Sequence, residues 1–264
     1  MFKRFIEDLK SHFGYAVYSA KSELKAEVAS SYLNWIWWVL EPICFMLIYT
    51  LIFGYVFNAK EQYFPVFIFI GITAWDFFNR NMRNSVRMVK KNKAIVTKVY
   101  IPKFILIISK MMVNGFKMLI SFGIVVVMMI AYRVPVSVNL VYFIPLMIDL
   151  WLLCFGLMCF LLHFGVYVED LSNVVNILLK FVFYMTGIFY SIESRLGGRY
   201  PQVAAILEKY NPMAYIICSL RKCMIYSECP GRKIMVLWFA VSLIISALGI
   251  RTIYKSENSY VKVI

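Results

Sequence analysis

Acidic residues are scarce in this chain. Only 14 Asp and Glu stand against 28 Lys and Arg in 264 residues, a formal net charge of +14, and charged residues of both signs make up just 16%. Hydrophobic residues make up 62%, and the mean hydropathy is +0.73. A soluble domain this apolar would aggregate. A disordered chain needs polar sequence that is missing here. The basic excess alone would suit a nucleic acid, but a nucleic-acid-binding domain is not so apolar, and no such partner is expected. What remains is an all-α integral membrane protein that crosses the bilayer several times, with its Lys and Arg confined to loops.

Other absences narrow the chemistry. None of the six cysteines forms a CxxC pair, and Cys44, Cys154 and Cys159 lie inside apolar runs, where a thiol behaves as a small hydrophobe. A disulfide framework and a metal site are therefore not expected. The two histidines, His12 and His163, fit no metal spacing. No GxxxxGK[ST] loop is present, so ATP is not bound by that route. The opening MFKRFIEDLK has no apolar run behind its basic residues, so no cleavable signal is expected.

Six segments are long enough to span about 30 Å of hydrocarbon at helical rise: 35–57, 63–83, 104–131, 139–167, 173–192 and 233–253. Residues 80–103 hold eight basic residues and no acid: Arg80, Arg83, Arg87, Lys90, Lys91, Lys93, Lys98 and Lys103. The short loops 58–62 and 132–137 carry only Lys60 and Arg133. By the positive-inside rule, 80–103 and both termini are cytoplasmic. The loop 193–232 holds Arg195, Arg199, Lys209, Arg221, Lys222 and Arg232 and is placed outside, because long loops obey the charge rule weakly. Within it, 201–228 has two apolar halves of about ten residues, too short to span, with the breaker Asn211-Pro212 between them. The pattern fits a re-entrant helical hairpin; a folded external cap is the alternative.

Residues 15–33 repeat apolar groups at helical spacing (Val17, Ala20, Leu24, Val28, Tyr32), with Lys21 and Lys25 on one edge and Glu23 and Glu27 on the other. This reads as an amphipathic helix in the cytoplasmic interface, its apolar face in lipid. Trp35, Trp37 and Trp38 follow as an aromatic belt. Ionisable groups at membrane depth are functional candidates by default. Glu41, followed by Pro42, falls about 9 Å into the first span at helical rise. Asp76 and Arg80 lie four apart in the second span and can share a face. Arg80 should reach the depth of Glu41, so a Glu41–Arg80 contact is expected. Lys110, Asn114, Lys117 and Ser121 form one polar face of the third span. Lys117 is placed to meet an anionic substrate group or the buried Asp149, and Lys180 is a second candidate partner for Asp149.

The stretch SVRMVKKNKAIVTKVYIPKFIL carries a helix over 85–99, stopped by the extended preference of the residue before Pro102. Ile95, Val96 and Val99 give it an apolar edge among lysines. A docking surface for a cytoplasmic partner needs such an edge; a basic anchor for anionic lipid does not.

Here the chain resembles the permease subunits of ABC transporters that export polysaccharides such as O-antigen, teichoic acid and capsule. YLNWIWWVLEP (32–42) looks like that family's first-span signature. FPVFIFIGITAWDFF (64–78) resembles its second-span opening, with Gly71 and Trp75 in place. NKAIVTKVYIP (92–102) is similar to its N-x-x-L-I-x-K-V-Y-F-P segment, with Val96 for Ile and Ile101 for Phe. Asn211-Pro212 with Arg221 ten residues beyond Asn211 resembles its NP…R re-entrant segment.

The resemblance implies a homodimer of permeases in a bacterial cytoplasmic membrane, paired with two ATPase subunits that carry the ATP and Mg. This chain itself would hold no cofactor and no metal, and would not be an enzyme. Asn92, Ile95, Val96, Lys98, Val99, Tyr100 and Pro102 would dock the ATPase. A lipid-linked or anionic glycan would pass between the two copies. Trp38, Phe45, Tyr49 and Phe53 would stack on sugar faces, with Glu41, Arg80, Asn114 and Lys117 as polar groups of the path. Two alternatives stand beside this reading. Export of a drug or lipid often goes with a longer external domain than the roughly forty residues here. A membrane-embedded glycan or acyl transferase would need a polar catalytic cluster, where only scattered single charges are found.

Overall fold

The computed structural model describes residues 2–29, 33–56, 61–198 and 200–263. Tyr32, Lys60 and Arg199, and the end of the expected first span at Phe57, lie outside them. The described residues form helices and turns with no strand.

The chain is organised around α3 (Phe64–Val86), of whose 23 residues seventeen are buried. A helix apolar on nearly every side belongs inside a bundle, and α3 touches α2, α6, α7, α8 and the later α11. Its second half carries Asp76, Arg80 and Arg83. These keep α3 off the roll of helices that are both long and apolar enough to cross a membrane. Four described helical stretches meet both conditions: Trp37–Val56, Lys103–Ala131, Val138–Tyr167 and Arg232–Glu257. The first is α2 (Trp37–Tyr49), entered by a 3-10 turn at Asn34–Ile36 and continued as π-helix over Thr50–Val56. Pro42 stands inside α2, where its ring removes a helix hydrogen bond. The others are α6 (Lys103–Ala131), α7 (Phe143–Tyr167, led in by a 3-10 turn) and α12 (Arg232–Val263).

Three expectations change. The fifth span, expected over 173–192, is α8 (Leu171–Met185), 15 residues and apolar. It stops because the chain turns at Thr186 and Gly187, the latter at φ +67°, a backbone region open to glycine. The single helix over 85–99 is broken at Arg87 and Asn92 into α4 (Met88–Lys91) and α5 (Lys93–Val96). The Asn92 amide donates to the Met88 carbonyl at 2.8 Å, an alternative to helical pairing. Packing Lys90, Lys91 and Lys93 on one short helix would also stack like charges. Finally, the amphipathic helix begins well before residue 15, as α1 (Phe2–Ala29), and its most buried face is Ala16 and Ala20. That face packs on α6 of the same chain rather than being free for lipid.

The most extensive helix pair is α7 with α12. It closes through glycine: a Cβ on Gly156 would stand 2.8 Å from the Ser246 backbone, and one on Gly249 2.7 Å from Cys159 Cβ. Small residues of this kind let helices approach closely where lipid supplies no hydrophobic drive between them. The segment 201–228 folds as α10 (Pro201–Tyr210) and α11 (Pro212–Met224), packed together with the short α9 (Ile192–Leu196) ahead of them.

Candidate functional site

A small cleft, of about 60 Å³, opens between α2, α3 and α6. Its walls include Trp38, Glu41, Arg80, Asn114 and Lys117, five of the eight residues expected to line a substrate path, with Asp76 and Ser121. Arg80 Nη2 lies 3.4 Å from Glu41 Oε1, the contact expected from their matching depths. Arg80 forms no ion pair with Asp76, its neighbour one turn back. Trp38 packs edge-on against Phe116, with ring centroids 5.6 Å apart. Asn114 is buried and donates to Asn81 Oδ1 at 2.8 Å, so it pins α6 to α3.

The polar face of α6 finds partners that spacing within α6 does not reveal. Lys110 pairs with Glu23, and Lys117 Nζ lies 2.5 Å from Glu27 Oε2. The acidic edge of α1 thus runs along the basic face of α6. The expected Lys117–Asp149 pair is not formed. Asp149 instead accepts a hydrogen bond from the Ser242 hydroxyl at 2.6 Å, across the α7–α12 seam. Lys180 is exposed and does not reach Asp149. The Lys117–Glu27 pair follows from α1 packing on α6, and the Asp149 partner follows from α12 packing on α7.

Phe45, Tyr49 and Phe53 stand outside this cleft as a ladder along the first span. Neighbouring rings are 6.2 and 6.4 Å apart, and Phe189 stacks on Phe53 at 4.2 Å. Phe45 is exposed. The ladder starts two turns beyond Trp38 and runs from α2 into the π-helical stretch.

The basic connection after α3 is anchored at several points. Lys90 Nζ reaches Glu169 at 2.6 Å, between α7 and α8, and holds that carboxyl below its usual range. Arg87 donates to the Ser172 hydroxyl at 2.9 Å. Its apolar edge splits: Val96 is buried in the chain's own core, whereas Ile95, Val99 and Tyr100 are exposed at 39, 56 and 56%. Lys98 is exposed, Asn92 half-buried and Pro102 buried. Ile95 and Val99 are the free apolar groups of this segment; Val96 is not.

Arg221 is the residue whose role the sequence least reveals. It is buried, and its guanidinium donates to three backbone carbonyls: Phe67 at 3.1 Å, Gly187 at 2.8 Å and Ile188 at 2.7 Å. It also lies over the Phe67 ring, 3.5 Å from the centroid. A Cβ on Gly71 would stand 2.5 Å from its Nη2. Asn211 caps α11, its Oδ1 accepting from the Met213 and Ala214 amides at 3.1 and 3.3 Å, and Pro212 takes the first helical position. The motif residues Gly71, Asn211, Pro212 and Arg221 are thereby parts of one joint between α3, α8 and α11.

The described residues thus form an apolar helix bundle, with four stretches long and apolar enough to cross a membrane, a polar cleft near an aromatic ladder, and an exposed apolar edge on a basic loop. No protein-family profile matches the chain. Over 261 residues, 97% of this chain and 98% of theirs, it is 25% and 22% identical to two O-antigen export system permease proteins RfbA of Klebsiella pneumoniae. Over 242 residues, 92% of each chain, it is 24% identical to the O-antigen export system permease protein RfbA of Myxococcus xanthus. These relatives bear out the resemblance to permeases of polysaccharide-exporting ABC systems, and they are named as transport subunits.

Two substitutions check this geometry. Arg221→Lys leaves at least one buried carbonyl without a donor and should cost about 2–4 kcal/mol, read as a lowered melting temperature of the purified chain in detergent. Lys117→Glu should lower the amount of chain in the membrane by setting like charges together. Adding Glu27→Lys should restore it, as immunoblots of membrane fractions would report.

Proposed function

We propose that this chain is the membrane-spanning subunit of an ABC exporter that moves a lipid-linked polysaccharide of the O-antigen type out of the cytoplasm, driven by a separate ATPase. The observation that carries the reading is the end-to-end likeness to three O-antigen export permeases. In this reading the membrane is crossed six times, by α2, α3, α6, α7, α8 and α12. Both termini and the 80–103 connection lie in the cytoplasm, where their excess of Lys and Arg belongs. The re-entrant pair α10–α11 sits on the outer side.

Two copies of the chain would pair, with the path between them. What supports this is the poor packing of α2: only 6% of its most apolar stretch is buried within the chain, against 17%, 39% and 50% for the α12, α6 and α7 stretches. A helix that bare inside its own chain has surface left for a second copy and for cargo. The Trp38–Phe45–Tyr49–Phe53 line lies on it and offers ring faces to sugars. The cleft beside that line is already ion-paired through Arg80–Glu41 and Lys117–Glu27. An anionic cargo group therefore gains a cation only by displacing a carboxylate.

Two ATPase subunits would dock on Ile95, Val99 and Tyr100, one on each copy. ATP binding draws the ATPases together, and the load enters at α5. Arg87–Ser172 and Lys90–Glu169 pass it to the turn between α7 and α8. Deleting the chain tests the assignment: surface polysaccharide should be lost while the finished glycan accumulates inside. Unchanged surface glycan would end this reading. Ile95→Asp or Val99→Asp puts a charge on an apolar docking face and should abolish export while the chain remains in the membrane. Val96→Asp, aimed into the chain's own core, should lower the membrane level of the chain itself.

A further inference from the structure

Where α12 meets the foot of α6, four segments converge on one carboxylate. Glu257 is only 7% exposed at its side chain. Its Oε2 accepts a hydrogen bond from the Tyr100 hydroxyl at 3.1 Å and stands 3.4 Å from Arg4 Nη2. Arg4 closes the triangle by donating to the same hydroxyl at 2.9 Å. Arg4 also lies 3.6 Å from Asp8, which accepts from the Tyr254 hydroxyl at 2.7 Å. Lys103 Nζ, at the first residue of α6 and almost wholly buried, is 4.0 Å from Oε1. That oxygen accepts no hydrogen bond. It lines a hollow walled by residues 96–100 together with Lys103.

Two features mark this as more than a buried ion pair. Residues 100–102, between the docking segment and α6, carry no helix, so the main chain there is a soft link. A displacement of α5 would be absorbed in it unless a side chain bypassed it, and Tyr100–Glu257 is that bypass. Moreover, the carboxylate is held from two sides: Oε2 faces Tyr100 and Arg4, and Oε1 faces the Lys103 ammonium at 4.0 Å, so one side chain joins the loop, α1 and α6 to α12.

Resting on the exporter reading above, we propose that Glu257 is a positioning residue for coupling. It ties Tyr100, and with it the docking edge, to α1 through Arg4 and to α12 through its own helix, so that load taken up by the edge reaches both ends of the chain. Three variants test this in the complex with its ATPase, reconstituted in liposomes, and in the chain alone in nanodiscs. Glu257→Ala should leave ATP hydrolysis and co-purification with the ATPase unchanged. It should cut glycan exported per ATP hydrolysed about tenfold, the scale of a lost charge-assisted hydrogen bond. Glu257→Gln keeps an acceptor for Tyr100 and should recover part of that ratio. Tyr100→Phe should lower the ratio as well, and combining it with Glu257→Ala should add little, as for two members of one interaction. In the nanodisc arm, Glu257→Ala should speed amide exchange over 97–103 and 2–10 together. An unchanged export ratio in Glu257→Ala, unchanged exchange in both segments, or loss of the chain from the membrane in Glu257→Gln and Tyr100→Phe alike would overturn the proposal. Linked exchange in a wild-type complex that exports nothing would support the tie and end the exporter reading instead.

Discussion

The fold turns on one guanidinium placed among main-chain carbonyls. Among the described residues no carboxylate lies within ion-pair reach of Arg221; its charge is met by the carbonyls of Phe67, Gly187 and Ile188. Burying a cation is costly unless it is fully hydrogen-bonded, so each carbonyl must be present for the residue to be tolerated. That requirement fixes the start of α3, the turn that ends α8 and the helix α11 against one another. It also explains why Gly71 has no side chain: the guanidinium occupies the space where one would be. A planar fork with five donors suits this role, and a lysine does not.

The rest of the chain falls into two parts around that joint. On one side, α6 and α7 pack on α3, α12 packs on α7 and α1 lies on α6, bound by Lys110–Glu23, Lys117–Glu27 and Ser242–Asp149. On the other, α2 touches its own chain sparsely, and α8 buries only Val175 and Leu179. The polar cleft and the aromatic ladder lie along α2, the sparsely held side. The two sides differ in packing: Lys110–Glu23 and Lys117–Glu27 bind the close-packed side, and Arg80–Glu41 ties the sparsely packed α2 to α3.

Which of these features the amino-acid sequence reveals depends on how far apart the partners lie. Glu41 and Arg80 were legible because each has a depth set by helical rise, and equal depths on neighbouring spans imply contact. The polar face of α6 was legible from its own spacing. Its partners Glu23 and Glu27 were visible as one edge of α1, but which helix that edge meets is a tertiary fact. The end of α8 is hidden because the run from Phe181 to Phe189 stays largely apolar while Gly187 turns the backbone. Val96 and Ile95 are adjacent and chemically alike; only the break at Asn92 decides that one faces inward and the other outward. Arg221 stood out by motif, yet its partners are carbonyls, which every residue has. Glu257 sits in a charged stretch that reads as solvated surface, although its side chain is buried.

The glycine contact between α7 and α12 carries a mechanical consequence. Where Gly156 and Gly249 meet, no side chain lies between the two backbones to bend, rotate or change rotamer, so the pair has no compliant layer. α2, with Pro42 and seven residues of wide π-helical turn, is built the opposite way. One chain therefore contains both a helix pair closed backbone to backbone and a helix whose own hydrogen-bond ladder is interrupted.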